Sequence, residues 1–346
     1  MKGLYIVVLT SLISLCACHS TSHSDLLPGF EETQTLAPID SINLEELDIL
    51  NPGTMLYKDS FLIFRNGQGR KEMHLLDLKA NNRVYRYEVV GQGPGQMSTY
   101  RTEPSNRPHA FNIFDLNRGR LYTVDLEKVR RDAMVEHTLL HTLPNRDLFR
   151  CVETENRLWG LGIPDTGRVW MYEKQSGVIK KQGEYPASEE IEGLSQFHKG
   201  TLFSRTYLET IDNHLVLATW GVFDFYKFAT NGTLKLLRRH THHLPQFTYR
   251  AAKNIIGING ENTVGAFGLT SGKEGVYLLY TSKMLKDKSY EYCHDLYSYD
   301  WEGNPLQHYY LTKSVAKIAL AEGGILYGLC REGTPRVYIY SLPQEK

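Results

Sequence analysis

The chain is predicted to fold as an all-β, six-bladed β-propeller with four-stranded antiparallel blades and a ring closed by an N-terminal strand. Three observations predict this. Beyond residue 38 no long stretch carries the 3.6-residue apolar period of an amphipathic helix, and short runs of alternating apolar and polar residues stand there instead. Those runs come in pairs, and the pair recurs six times at a period of roughly 50 residues, which belongs to propellers and related arrays. The turns between them are rich in Gly, Asn and Asp, as hairpin connections require.

The first copy sets Phe61-Leu62-Ile63-Phe64 before Met73-His74-Leu75-Leu76-Asp77, followed by the outer run Val84-Tyr85-Arg86-Tyr87. The next copies pair residues 109–114 with 121–125, 158–161 with 169–172, and 215–218 with 223–228. The last two pair 276–280 with 296–299 and 325–329 with 337–340. Turns such as Ala80-Asn81-Asn82, Gln175-Ser176-Gly177, Thr230-Asn231-Gly232 and Trp301-Glu302-Gly303-Asn304 lead on to outer strands. The sixth copy lacks its outermost strand. Residues 41–50 are expected to supply it, because closure of the ring leaves few free edges. Residues 281–292 are polar and Lys-rich and read as a surface excursion.

Between the first two copies lies Val89-Val90-Gly91-Gln92-Gly93-Pro94-Gly95-Gln96-Met97. Its glycines and proline cannot continue a helix or a flat strand. No helix pattern follows, and neither Gly-Lys-Ser/Thr nor G-x-G-x-x-G spacing is present, so the run reads as a tight connection between sheets and not as a phosphate cradle. The 39 basic and 39 acidic residues balance to zero net charge, which leaves no electrostatic footprint for nucleic acid.

Met1-Lys2 and the apolar run from Leu4 to Ile13 read as a secretory signal, being short for a membrane span. The run ends at Leu15-Cys16-Ala17-Cys18, which resembles the bacterial lipobox. Cys18, with Ala17 before it and Leu15 three positions back, fits that pattern better than Cys16, which follows the bulky Leu15. The resemblance implies a signal peptide over residues 1–17, lipidation at Cys18 and stable membrane anchoring by several acyl chains. An ordinary signal peptide with two incidental cysteines is the alternative. Residues 18–37, polar with Ser, Thr and Pro, read as a flexible tether, and residues 38–346 as the propeller. Past Cys18 only Cys151, Cys293 and Cys330 remain, widely spaced and odd in number, so they form no disulfide framework. A pairing of Cys293 with Cys330 stays open.

The lipobox, the six repeats and the Val90-Gly91-Gln92-Gly93-Pro94-Gly95-Gln96 loop together resemble the six-bladed, TolB-like β-propeller lipoproteins of Bacteroidetes-type bacteria. Their first blade typically ends in a G-x-G-P-G-E-type loop, and Gln96 stands here where Glu is common. The resemblance spans most of the chain. It implies a fold and a cell-envelope address, lipid-anchored and periplasm-facing or at the outer membrane, more than an activity. The first acid after Cys18 is Asp25, which leans toward the periplasm-facing side.

Chemistry-bearing motifs are sparse. His240-Thr241-His242-His243 is dense enough in imidazole to bind a metal, but adjacent residues of a strand face opposite ways, and no nearby Cys or carboxylate completes a tetrahedron. It reads as a polar turn. Asp115, Asp125, Asp224 and Asp300 fall at expected strand ends, where Asp caps turns. Asn231-Gly232-Thr233 is a plain turn, and there is no G-x-S-x-G. Two Thr-Tyr-Arg triplets follow outer strands three copies apart, ending in Tyr100-Arg101 and Tyr249-Arg250. In a six-fold ring these would stand opposite each other on one rim, with forked donors for a carboxylate, phosphate or sugar acid. Repeat ancestry alone is the plainer reading.

The expected function is therefore a ligand- or protein-binding module taking a small anionic or carbohydrate ligand or an envelope protein. Ligand-binding residues are Tyr100, Arg101, Tyr249 and Arg250. The membrane is a partner through the anchor at Cys18, the state is monomeric, and no cofactor or metal is assigned. The alternative is a metal-dependent hydrolase, lactonase or lyase with its site in the central channel.

Overall fold

The computed structural model describes residues 26–66, 72–91, 96–143, 148–163 and 166–343. The signal segment, Cys18 and residues 92–95 of the Gly-rich loop lie outside the described residues.

Six sheets, each with four antiparallel strands and one of them extended by a fifth, parallel strand, form the blades. Blade 1 is Pro52–Lys58, Phe61–Asn66, Glu72–Asp77 and Arg83–Glu88. Blade 2 is Tyr100–Pro104, Ala110–Asp115, Arg120–Asp125 and Thr138–Thr142. Blade 3 is Leu148–Glu153, Arg157–Gly162, Val169–Glu173 and Ile179–Gln182. Blade 4 is Tyr207–Ile211, His214–Thr219, Val222–Phe228 and Leu234–Thr241. Blade 5 is Thr263–Ser271, Val276–Met284, Cys293–Tyr299 and Pro305–Val315. Blade 6 is Lys317–Ala321, Ile325–Cys330 and Arg336–Ser341. Its fourth strand is Asp40–Asn43, antiparallel to Arg336–Ser341 with Ile42 opposite Val337, so the ring closes through the expected N-terminal segment.

The apolar core is not on the axis. It is divided into six wedges, one between each pair of neighbouring blades. Strand alternation builds them. In Phe61–Asn66, Phe61 and Ile63 enter the wedge toward blade 2, while Leu62 and Phe64 enter the wedge toward blade 6. A strand buried on both faces needs apolar residues at every position, which is why the middle strands read as unbroken runs. The first strand of each blade lines the axis, where no wedge fills the space.

Polar joints cross the same wedges. Asp224, on the third strand of blade 4, is fully buried and pairs with Arg168 of blade 3 and with Arg239, whose Nε lies 2.5 Å away. Asp224 thus joins two blades and is not the turn cap expected from sequence. Asp115 and Asp300 do cap backbone N–H groups of the turns that follow them, whereas Asp125 caps the N-terminus of a short helix, Leu126–Asp132, by accepting from the Lys128 N–H. Between blades 1 and 2, Arg130 donates from Nε to Asp77 at 2.7 Å and from Nη1 to Asp59 at 3.1 Å.

Two features correct the sequence reading. The segment expected as a tether to residue 37 is docked from Leu27 onward. Leu27, Phe30 and Leu36 are buried, the Phe30 ring meets Tyr297 and Tyr299 at 4.9 and 5.2 Å, and Thr33–Leu36 pairs in parallel with Pro305–Val315 as a fifth strand of blade 5. Three apolar side chains among polar neighbours are enough to seat it, since each burial contributes about 1.5–3 kcal/mol. The second feature is an insertion. Helices Glu189–Glu192 and Gln196–Leu202 between blades 3 and 4, and the hairpin Phe247–Arg250 with Ile255–Ile258 between blades 4 and 5, pack together over Trp220. Both insertions are outer-to-inner connections and lie on the rim where the inner strands begin.

Candidate functional site

The inner strands all run the same way from that rim and enclose a cavity of about 660 Å³ on the axis. Residues two apart on a strand share a face, so the wall is built in tiers about 6–7 Å apart. The tier at the rim end holds Arg101 of blade 2, Arg150 of blade 3, Tyr207 of blade 4 and Lys317 of blade 6, joined by Arg65 from the second strand of blade 1. The next tier carries two carboxylates: Glu209, in the cavity wall, and Glu103, buried outside the cavity lining. Lys58, Ser105, Glu153 and Thr154 stand at the far end.

The rim tier is cationic and held by aromatic rings. The Arg150 guanidinium lies 5.3 Å and the Lys317 ammonium 6.0 Å from the centre of the Tyr207 ring, and Lys317 lies 4.4 Å from that of Phe267. Such contacts stabilise a cation without neutralising it. The Tyr207 hydroxyl is fixed by donating to the Phe267 carbonyl at 2.5 Å. Arg65 donates from Nη1 to the Tyr100 carbonyl at 2.8 Å. The Nε atoms of Arg65 and Arg101 are buried with no hydrogen-bond partner among the described residues. Burial, and then the neighbouring Arg150, lower the Arg101 guanidinium from its ordinary value.

Below it, burial raises the Glu103 carboxyl, against the pull of Arg150 and Arg101. Burial also carries Glu209 up to about 7, against a hydrogen bond from Ser271 Oγ at 3.0 Å. The far end differs. Burial there would raise Glu153, but Lys174 Nζ at 2.7 Å and Asn112 Nδ2 at 2.9 Å donate to it and hold it below its ordinary value. Ser105 also donates to Glu153, at 3.2 Å, and Lys58 Nζ donates to the Ser105 carbonyl at 3.0 Å. The far end spends its charges internally, whereas the rim end keeps donors to offer.

Of the residues expected from sequence, Arg101 lies in the cavity wall. Tyr100, one position earlier, turns into the wedge between blades 1 and 2 and is buried there. Tyr249 and Arg250 are exposed and lie on the inserted hairpin, outside the cavity wall. Tyr249 packs its ring 4.8 Å from that of His198. The two triplets are thus not equivalent positions of two blades: one opens an inner strand, the other belongs to an insertion. His240 and His243 hydrogen-bond the carbonyls of Gly303 and Thr263 through Nε2, and burial pushes His242 down to about 4. Among the described residues no group of three or more His, Cys, Asp or Glu is placed to hold a metal. Cys151, Cys293 and Cys330 are buried free thiols.

Sequence reading missed Arg65, Glu103, Arg150, Tyr207, Glu209 and Lys317. One signal was available, the i, i+2 pairs Arg101-Thr102-Glu103 and Tyr207-Leu208-Glu209, which put two polar side chains on one face of a strand.

Fold and site together define a six-bladed propeller with a charged axial cavity. The chain belongs to the TolB-like 6-blade propeller-like family, whose model matches residues 30–323. Among solved structures it is similar to a structural genomics protein of unknown function from Bacteroides thetaiotaomicron, with TM-score 0.51 and 12% identity over 90% of this chain and 75% of that one. It is also similar to an auxiliary nutrient binding protein from the same organism, with TM-score 0.49 and 9% identity over 84% of this chain and 69% of that one. At these identities the likeness concerns the fold alone. No curated protein sequence matches the chain.

Proposed function

We propose that this protein is a lipid-anchored envelope binding module that holds a small anionic ligand in its axial cavity. The observation that carries the reading is the convergence of Arg65, Arg101, Arg150 and Lys317, from four blades, at one end of that cavity. Cations brought together repel one another, and two of them bury an unpartnered Nε. An anion would accept from the guanidinium and ammonium N–H groups that line the cavity and offset the repulsion, and guanidinium forks suit planar oxyanions. The rigid ring holds these groups in place before the ligand arrives, which reduces the ordering cost of binding.

Calorimetric titration with small carboxylates and phosphate tests this. Binding is expected to weaken with added salt and to fall at least about tenfold in Arg150→Ala, the order of a lost charge-assisted hydrogen bond. Equal binding by wild type and variant would reject the site. The anchor is tested separately. Cys18→Ser is expected to move the protein from the membrane to the soluble fraction, and an unchanged distribution would remove Cys18 from the reading.

A further inference from the structure

We infer that the ligand of the axial cavity is a polyhydroxylated monocarboxylate, a sugar acid of the hexuronate type, with its carboxylate at the Arg101–Arg150 tier and its hydroxyls at Glu209. This rests on the anion-binding reading above and specifies its ligand.

The tiering argues against a bare dianion. Two residues below Arg101 and Tyr207 stand Glu103 and Glu209, about 6–7 Å along the strands. A phosphate seated at the arginines would not extend to Glu209 in the cavity wall, and a second anionic group reaching it would be repelled. A pyranose carrying one carboxylate spans about the same length, placing hydroxyl groups where the carboxyl lies. Glu209 has one oxygen engaged by Ser271 and presents a carboxyl to the cavity wall. A carboxylate accepts from two hydroxyls, and a protonated carboxyl both donates and accepts, so sugar hydroxyls suit either form. The remaining wall is rich in short hydroxyl side chains: Thr54, Thr102, Thr210, Thr270 and Ser271. Thr54 Oγ1 is buried without a hydrogen-bond partner among the described residues. The cavity, at about 660 Å³, is in the range of sites that enclose a small molecule.

The same two-tier wall would also accept an ω-amino acid, with its ammonium at Glu209, and the experiment separates the two. Wild type and Glu209→Gln are titrated with galacturonate, galactose, acetate, 4-aminobutyrate and inorganic phosphate. Galacturonate is expected to bind at least about tenfold more tightly than acetate or galactose, and Glu209→Gln to narrow that preference severalfold. Preference for 4-aminobutyrate or phosphate, or a galacturonate preference unaffected by Glu209→Gln, overturns the inference and leaves the anion site standing. Failure of every anion to bind overturns the site and the inference together.

Discussion

The Arg150 guanidinium lies 5.3 Å from the centre of the Tyr207 ring, across the joint between blades 3 and 4, and Lys317 of blade 6 approaches the same ring. One aromatic side chain thus steadies two of the cations at the rim end of the cavity. Tyr207→Leu removes the ring and is expected to weaken anion binding about fivefold, within the range of a cation–π contact. Tyr207→Phe keeps the face, loses only the bond to the Phe267 carbonyl, and is expected to bind nearly as wild type. Titration of both variants with one carboxylate checks the contrast. Equal losses would show that the hydroxyl, and not the ring, positions the cations.

Arg101 is half-buried beside Arg150 and Arg65, and burial first, then Arg150, lowers its guanidinium. Removing one of several crowded cations is expected to relieve the fold while weakening the site, a trade seen where binding groups are held against their preference. Arg101→Met should therefore raise the denaturation midpoint, by an amount worth about 1 kcal/mol, and lower anion affinity. A variant less stable than wild type would show that Arg101 is held mainly by its attraction to Glu103.

Glu209 supplies a pH dependence with a definite sign. Its carboxyl is raised from the ordinary 4.5 to about 7, burial being the main cause. In that window the folded chain binds the proton more tightly than the unfolded one. Its contribution to stability is full below about 4.5 and is lost as pH rises through about 7. The facing groups are Ser271, Arg150 and Glu103; Arg150 and the Ser271 bond oppose the shift and Glu103 adds to it. Urea melts at pH 5 and pH 8 should show wild type losing stability and Glu209→Gln losing less. Parallel curves would assign the dependence to other groups.

The buried Asp224 serves Arg168 and Arg239 at once. Asp224→Ala leaves the buried Arg168 and the partly buried Arg239 without their shared partner and is expected to cost about 3–5 kcal/mol. Chemical denaturation measures it. A cost below about 1 kcal/mol would mean that water enters the joint and replaces the carboxylate.

Ring closure depends on Asp40–Asn43 beside Arg336–Ser341. Compared with a chain beginning at residue 38, which keeps the closing strand but lacks the segment docked on blade 5, a chain beginning at residue 44 exposes that edge and is expected to melt at lower temperature and to self-associate through the open strand. Size-exclusion chromatography with thermal melts checks both. A monomer of unchanged melting temperature would show that the six wedges hold the ring without the closing strand.

The sequence by itself determined the propeller. The middle strands of each blade are apolar on both faces, and their runs and turns mark six copies at regular spacing. Closure from the N-terminus followed from a sixth copy one strand short. Tertiary structure alone decided the site. Inner strands such as Tyr100–Pro104 and Tyr207–Ile211 have one edge on an open axis, so they mix charged, hydroxyl and apolar residues and carry no clear period. Arg65, Arg101, Arg150 and Lys317 are as much as about 250 residues apart in the chain, and only closure of the circle sets them around one cavity. The equation of Tyr249-Arg250 with Tyr100-Arg101 failed for the same reason. A local triplet does not reveal whether it begins an inner strand or belongs to a hairpin inserted between blades, because that depends on which neighbours the ring brings beside it.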